Sequence, residues 1–127
     1  MTSRELRLRR QIFLTFAATG SPPEVDDAET LAELERRHVV VLREGRVWMA
    51  HPFAGHREGT RVESRGREWW GNCAWDGLGI VAALGLSDAV VVSGGVTVRV
   101  AGGRVVDDAL FQVAVAARHW WDDIGFT

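Results

Sequence analysis

The most informative segment of the sequence reads Trp69-Trp70-Gly71-Asn72-Cys73-Ala74-Trp75-Asp76. It contains the only cysteine of the chain, and an aspartate follows that cysteine three residues later. Asn72 is a favourable N-cap residue, because its side-chain oxygen can accept a hydrogen bond from an amide in the first helical turn. The apolar run that follows can form a largely buried helix, which Gly85 can end. We therefore predict a core helix that Cys73 opens.

The position of Cys73 at a helix start has chemical consequences. Amides at a helix N-terminus stabilise a thiolate, which predicts a reactive cysteine. Residues three apart lie on one helix face, so Cys73 and Asp76 can line the same pocket. A thiol nucleophile beside a proton-carrying carboxylate suits attack on a soft centre. The structural alternative is that Cys73 packs as a small apolar residue and Asp76 complements the helix dipole.

The same segment resembles the active site of a known enzyme family. The residues that carry the resemblance are Asn72-Cys73-Ala74-Trp75-Asp76-Gly77-Leu78-Gly79-Ile80, with weaker similarity at His51-Pro52-Phe53, at Gly66-Arg67 and over residues 120–127. They are similar to the organomercurial (alkylmercury) lyases. The resemblance implies an enzyme in which Cys73 attacks mercury and Asp76 delivers the proton that releases the hydrocarbon. It also implies a winged-helix-like N-terminal module followed by an alkylmercury-lyase-like core.

The chain departs from that family in one respect, because it has no second cysteine. Typical members use a second cysteine to hold mercury after the carbon bond breaks. Two thiolates bind a soft metal better than one thiolate and a carboxylate. Two alternatives therefore remain open. A repurposed relative could catalyse proton transfer, isomerisation or cyclisation of a small organic metabolite, or the chain could be a non-catalytic regulator that binds DNA or a heavy metal through Cys73.

Composition restricts the class of protein. The chain has 127 residues, 15 arginines without any lysine, 17 acidic residues and a net charge of −2, which gives no global field for nucleic acid or anionic membrane. A single cysteine excludes an internal disulfide and fits the reducing cytoplasm. No signal-peptide pattern and no long apolar run occur. We expect a cytoplasmic enzyme that uses no cofactor. Its expected partners are a small apolar substrate and a thiol reductant.

The N-terminal part, residues 1–50, predicts two helices and a hairpin. Apolar residues four apart indicate a helix over residues 3–18, and Asp26 or Asp27 can cap a second helix that runs to about residue 37. Residues 39–42 and 47–50 flank a glycine turn as a β-hairpin. This order is typical of a winged-helix-like module. Acidic residues outnumber arginines in the second helix, however, and that charge would repel the phosphates of DNA.

The second part, residues 51–127, predicts a core with antiparallel strands packed on the Cys73 helix, so the chain as a whole belongs to the α+β class. Residues 52–67 read as a loop with a short strand at 60–63. Strand-like runs follow at 89–92, 96–100, 104–106 and 111–115, and residues 117–124 form a closing helix or turn.

Tryptophan supplies the predicted pocket wall. The chain has six tryptophans and no tyrosine, and each indole can bury a large apolar area. Most can be core residues, but a subset could surround Cys73. The residues we expect to contact substrate are Trp70, Trp75, Trp120, Trp121 and His51, with Trp69 as a further member of the wall. His51 and His56 lack a third ligand at a recognisable spacing, which disfavours a structural metal.

Overall fold

A computed structural model describes residues 1–108 and 120–125 of the chain. Within this range the fold contains three helices, α1 (Ser3–Thr19), α2 (Ala28–Arg36) and α3 (Ala74–Leu84). The strands are β1 (Val41–Arg43), β2 (Arg46–Ala50), β3 (Phe53–Ala54), β4 (Thr60–Ser64), β5 (Arg67–Gly71), β6 (Ala89–Ser93), β7 (Val96–Ala101) and β8 (Arg104–Val105). They form two antiparallel sheets, which confirms the predicted α+β class.

Helices α1 and α2 follow the sequence pattern closely. The residues of α1 predicted to face inward, Leu8, Ile12 and Phe16, are buried at the expected spacing of four. In α2, Asp27 is the N-cap and accepts a hydrogen bond from the amide of Thr30 at 3.1 Å. Local hydrogen bonding and apolar periodicity are therefore sufficient to determine both helices.

The first sheet has the strand order β1-β2-β3. The predicted hairpin forms between β1 and β2, where Glu44 and Gly45 both have positive φ angles of 54° and 76°. A two-residue turn with two positive φ angles matches the right-handed twist of the flanking strands. Strand β3 adds to β2 beyond residue 50, so hydrogen bonding continues across the position at which we divide the chain into two parts. That division stays a prediction.

The second sheet has the strand order β5-β4-β6-β7-β8. The predicted strands at 60–63, 89–92, 96–100 and 104–106 correspond to β4, β6, β7 and β8. The sequence pattern does not predict β5, because Trp69 and Trp70 are adjacent and hide the alternation of a half-buried strand. The predicted strand at 111–115 and residues 117–119 of the predicted closing helix lie outside the described residues.

Helix α3 packs on one face of the second sheet, against β4, β5 and β6. Val62 pairs with both Trp69 and Val91, and all three side chains are buried on this face. A single buried apolar cluster joins these residues to the α1 and α2 side chains. Within the described residues, no helix has both the length and the apolar character that crossing a bilayer requires.

Candidate active site

The N-terminus of α3 differs from the prediction by one residue. Cys73, with φ −139° and ψ 174°, is the N-cap, and the helix itself begins at Ala74. Asn72, which we expected to cap the helix, uses its side chain elsewhere. Its Nδ2 donates to the carbonyl of Ile124 at 2.9 Å, and its Oδ1 lies 3.2 Å from His56 Nε2. No side-chain hydrogen bond of standard geometry caps α3.

Asp76 occupies the third helical position, and its carboxylate lies near the imidazole of His51. Its Oδ2 lies 3.4 Å from Nδ1 of His51, and the two side chains are only 14% and 29% exposed. This separation is slightly longer than a standard hydrogen bond. Contacts of this kind in unliganded sites often tighten when substrate is present. The structure therefore brings together two predicted site residues that lie far apart in the sequence.

Glycines allow this approach. A Cβ atom on Gly77 would lie 2.6 Å from Cγ2 of Thr60 and 2.9 Å from Cγ1 of Val91, so only glycine lets α3 lie this close to the sheet. A Cβ atom on Gly79 would lie 3.2 Å from Cβ of Pro52, the residue after His51. The sequence shows these glycines, but their role depends on the β4 and β6 side chains that they face.

The electrostatic environment of Cys73 corrects the prediction of a stabilised thiolate. The pKa of the half-buried thiol is raised, and burial is the largest cause. The amides of Asp76 and Trp75 lie close enough to the sulfur to lower the pKa, although neither meets the geometry of a capping bond. The nearby Asp76 carboxylate raises the pKa further, chiefly through its negative charge. Burial and the Asp76 charge together outweigh the helix start, so Cys73 is a thiol with a proton acceptor beside it.

Trp121 forms the aromatic border of this cluster. Its ring meets the ring of His51 edge to face, with 5.7 Å between centroids, and stacks on His38 at 4.3 Å. Trp120 lies beside it, half-buried, in the turn formed by residues 120–125. The same turn is attached to the start of α3 through Asn72. Trp121 therefore lies next to His51, and the contact of Trp120 and Trp121 with substrate stays a prediction.

Three other tryptophans are not placed as the wall of a pocket. Trp69 belongs to the core and donates from its indole nitrogen to the carbonyl of Ala17 at 3.0 Å. Trp70 is the next residue of the same strand, so its side chain points to the sheet face opposite α3. There it bonds Glu68 at 2.8 Å. Trp75 follows Cys73 on the outside of the first helical turn and is 65% exposed. Trp70 thus lies on the sheet face opposite α3 and Trp75 is largely exposed, while the contact of either residue with substrate stays a prediction.

Sequence reasoning missed the contribution of Asn72, His56 and Trp48 to the site. His56 connects Asn72 to Trp48, whose ring centroid lies 4.9 Å from that of His56. Trp48 also packs against Gly125, where an added Cβ would lie 2.9 Å from the indole. These contacts hold residues 120–125 against the start of α3. The available signal was the position of Asn72 beside the cysteine, which we assigned to capping.

A metal site and a surface groove are two other kinds of site at which a ligand could bind. Within residues 1–108 and 120–125, no group of three or more His, Cys, Asp or Glu side chains could hold a metal ion. A groove of about 530 Å³ runs beside the N-terminal half of α1 and is lined by residues of that helix and of the segment from Glu24 to Asp27. It shares no residue with the Cys73 cluster, and its charges of both signs do not indicate one ligand class.

No protein-family model, curated protein or solved structure matches the chain. The resemblance to organomercurial lyases accordingly depends on the motif residues alone.

Proposed function

We propose that this chain is an enzyme of the alkylmercury-lyase type, with a winged-helix-like N-terminal part, in which Cys73 is the nucleophile and Asp76 carries the proton. The observation that supports this assignment is the convergence of Cys73, Asp76 and His51 at a helix start where neither α3 residue makes a standard capping bond. The substrate is small and largely apolar, and carbon–mercury cleavage is the reaction that the resembled family implies.

The protonated state of Cys73 supports a particular order of steps. Asp76 accepts the thiol proton as the sulfur forms a bond to mercury and an exchangeable ligand leaves. The carbon–mercury bond then breaks, and its electron pair remains on carbon, which takes the proton from Asp76. The products are a hydrocarbon and mercury(II) held by the sulfur of Cys73. Because the chain has one cysteine, a small-molecule thiol must supply the second soft ligand that removes the metal.

Benzene release from phenylmercury in the presence of excess dithiothreitol tests this proposal. We expect release by the wild-type chain and a loss of about 100-fold or more in Cys73→Ser and Asp76→Ala, the range typical of a nucleophile or proton carrier. Glu5→Ala is the matched control, because Glu5 occupies the same third helical position in α1. Mercury binding without benzene release contradicts the proposal and identifies a sequestering protein.

The contact between His51 and Asp76 favours a second candidate, proton transfer on a small organic metabolite without mercury. An imidazole beside a carboxylate is a competent acid–base pair. The test is hydrogen–deuterium exchange into a panel of small ketones and enolisable acids in D₂O, followed by proton NMR. Exchange that depends on both His51 and Asp76, without benzene release from phenylmercury, supports the second candidate and rejects the first.

A DNA-binding role receives less support from the described residues. Arg36 and Arg37 are both paired with Glu33, and Arg37 also approaches Glu5 at 3.4 Å. These ion pairs occupy guanidinium groups that would otherwise contact phosphates.

A further inference from the structure

The imidazole of His51 contains a buried polar atom without a partner. Its Nε2 is the only fully buried side-chain nitrogen or oxygen that finds no hydrogen bond among the described residues. Leaving such a group unpaired costs free energy, and an exception of this kind in a folded protein needs an explanation. The other ring nitrogen, Nδ1, faces Asp76 at 3.4 Å.

The carboxylate determines which ring nitrogen carries the proton. In a neutral imidazole one nitrogen is a donor and the other an acceptor, and a neighbouring carboxylate accepts from the donor. Because Asp76 faces Nδ1, the proton of the neutral ring belongs on Nδ1. Nε2 is then left as an acceptor, which only an N–H or O–H group can satisfy.

We propose that Nε2 of His51 accepts a hydrogen bond from the substrate, and that the substrate is therefore a small, largely apolar molecule with an N–H or O–H group beside its reactive centre. This inference rests on the proposed use of Cys73 as the nucleophile. The Asp76 carboxylate lies 3.4 Å from His51 and acts on the pKa of Cys73 one helical turn earlier, so a molecule that reaches the sulfur comes close to the imidazole. The edge of Trp121 makes the surroundings apolar, which strengthens a hydrogen bond made there.

Two reagents that modify cysteine separate the hydrogen bond from general reactivity. Iodoacetamide carries an N–H donor next to the carbon that sulfur attacks, whereas methyl methanethiosulfonate carries none. Cys73 is the only cysteine, so the mass increase of the whole chain reports its modification directly. In His51→Asn, which keeps a polar group at the Nδ1 position and removes Nε2, we expect the iodoacetamide rate to fall about three- to tenfold, the value of one hydrogen bond.

The methanethiosulfonate rate should stay within about twofold in the same variant, because no hydrogen bond to that reagent is lost. His51→Gln, which returns an acceptor to the Nε2 position, should restore much of the iodoacetamide rate. The matched control is His38→Asn, whose ring also meets Trp121, and which should leave the ratio of the two rates unchanged. An unchanged ratio in His51→Asn overturns the proposal.

Nitrogen NMR of the wild-type chain provides a measurement that does not depend on any variant folding. We expect the His51 ring to carry its proton on Nδ1, with Nε2 unprotonated, and a ring that carries a proton on Nε2, with or without one on Nδ1, overturns the proposal. Neither experiment uses organomercurial cleavage. Failure of benzene release would reject carbon–mercury cleavage, whereas failure of the rate ratio would reject the hydrogen bond to Nε2 and leave the proposed nucleophile intact, so the two failures are distinguishable.

Discussion

The starts of α1 and α3 have the same residue spacing and different hydrogen bonding. In α1, the hydroxyl of Thr2 accepts from the amide of Glu5 at 3.1 Å, and the Glu5 carboxylate accepts from the amide of Thr2 at 3.1 Å. This arrangement is a complete capping box. In α3, Cys73 and Asp76 occupy the same two positions, but Cys73 makes no standard capping bond and Asp76 faces His51.

The capping side chains of α1 stabilise their helix, whereas Cys73 and Asp76 of α3 are available for chemistry. A good N-cap contributes about 1 kcal/mol relative to a residue that cannot accept the bond. Helix α3 lacks this stabilisation, although its sequence has the spacing of a capping box. Local rules of this kind are most often broken at functional sites. We therefore regard the missing cap as support for a role of Cys73 and Asp76 outside the helix.

The fourth helical position should distinguish the two helix starts most strongly. It is Gly77 in α3, where a Cβ would meet Thr60 and Val91, and Leu6 in α1, which is 50% exposed. Overpacking costs about 1–3 kcal/mol, and two buried neighbours place Gly77→Ala at the upper end. Alanine offsets about 1 kcal/mol of this cost, because its helix propensity is higher than that of glycine. We expect a net loss of about 2 kcal/mol in the free energy of unfolding, measured with urea.

Leu6→Ala is the matched control and should change the free energy of unfolding by no more than about 0.5 kcal/mol, as is usual for surface positions. Equal losses in the two variants would mean that the start of α3 is as open as that of α1. The close approach of α3 to β4 and β6 would then be incorrect.

The next largest difference is expected at the N-caps themselves. Thr2→Ala removes the acceptor of an existing capping bond and should lower the free energy of unfolding by about 1 kcal/mol. Cys73→Ala removes no standard capping bond and only part of a side chain, so its loss should be clearly smaller than that of Thr2→Ala. Urea titrations of both variants at the same pH measure the difference. A larger loss in Cys73→Ala than in Thr2→Ala would mean that the thiol is the more important cap.

The features that the sequence predicted are the local ones. The inward residues of α1, the Asp27 cap of α2 and the Gly85 end of α3 all depend on groups within about one helical turn. The contact between His51 and Asp76 could not be predicted, because it depends on how closely Gly77 and Gly79 let α3 approach other elements.

Two incorrect predictions have the same physical origin, competition from distant partners. Asn72 has the chemistry of an N-cap, but the carbonyl of Ile124, 52 residues away, takes its side chain. The thiol of Cys73 lies at a helix start, yet burial by the surrounding fold determines its pKa. The orientation of Trp70 needs no distant partner. Side chains alternate between the two faces of a strand, so once β5 is known, the buried Trp69 places Trp70 on the opposite face.

Replacing the thiol by a hydroxyl should convert the start of α3 into one that resembles α1. Serine is a preferred N-cap, and in Cys73→Ser its oxygen would replace sulfur near the amides of Trp75 and Asp76. We expect a gain of about 0.5 kcal/mol in the free energy of unfolding, the lower end of a capping contribution. The same variant loses benzene release if Cys73 is the nucleophile. A destabilised Cys73→Ser would mean that packing of the sulfur stabilises the fold, which would favour a structural role for Cys73.

The smallest effect concerns the charge of Asp76 on Cys73. Because burial is the first cause of the raised thiol pKa and the Asp76 charge a lesser one, Asp76→Asn should lower that pKa. The thiolate fraction at a fixed pH then rises, and modification by methyl methanethiosulfonate between pH 7 and about 9 should accelerate modestly. Glu5→Gln, at the same position of α1, should leave the rate unchanged. In the proposed reaction the same carboxylate takes the thiol proton as the sulfur attacks, so a slower reaction in Asp76→Asn would mean that this base role outweighs the effect of the charge on the thiol pKa.

The pH dependence of stability follows from the same shift. The folded chain holds the thiol proton more tightly than the unfolded chain does, so this contribution to stability is complete below the ordinary thiol pKa. It is lost as the pH rises through the raised pKa of the folded state. Urea midpoints measured from neutral to alkaline pH should therefore fall more in the wild type than in Asp76→Asn, in which the shift is smaller. The α1 start contains no thiol, so Glu5→Gln should keep the wild-type slope over this range.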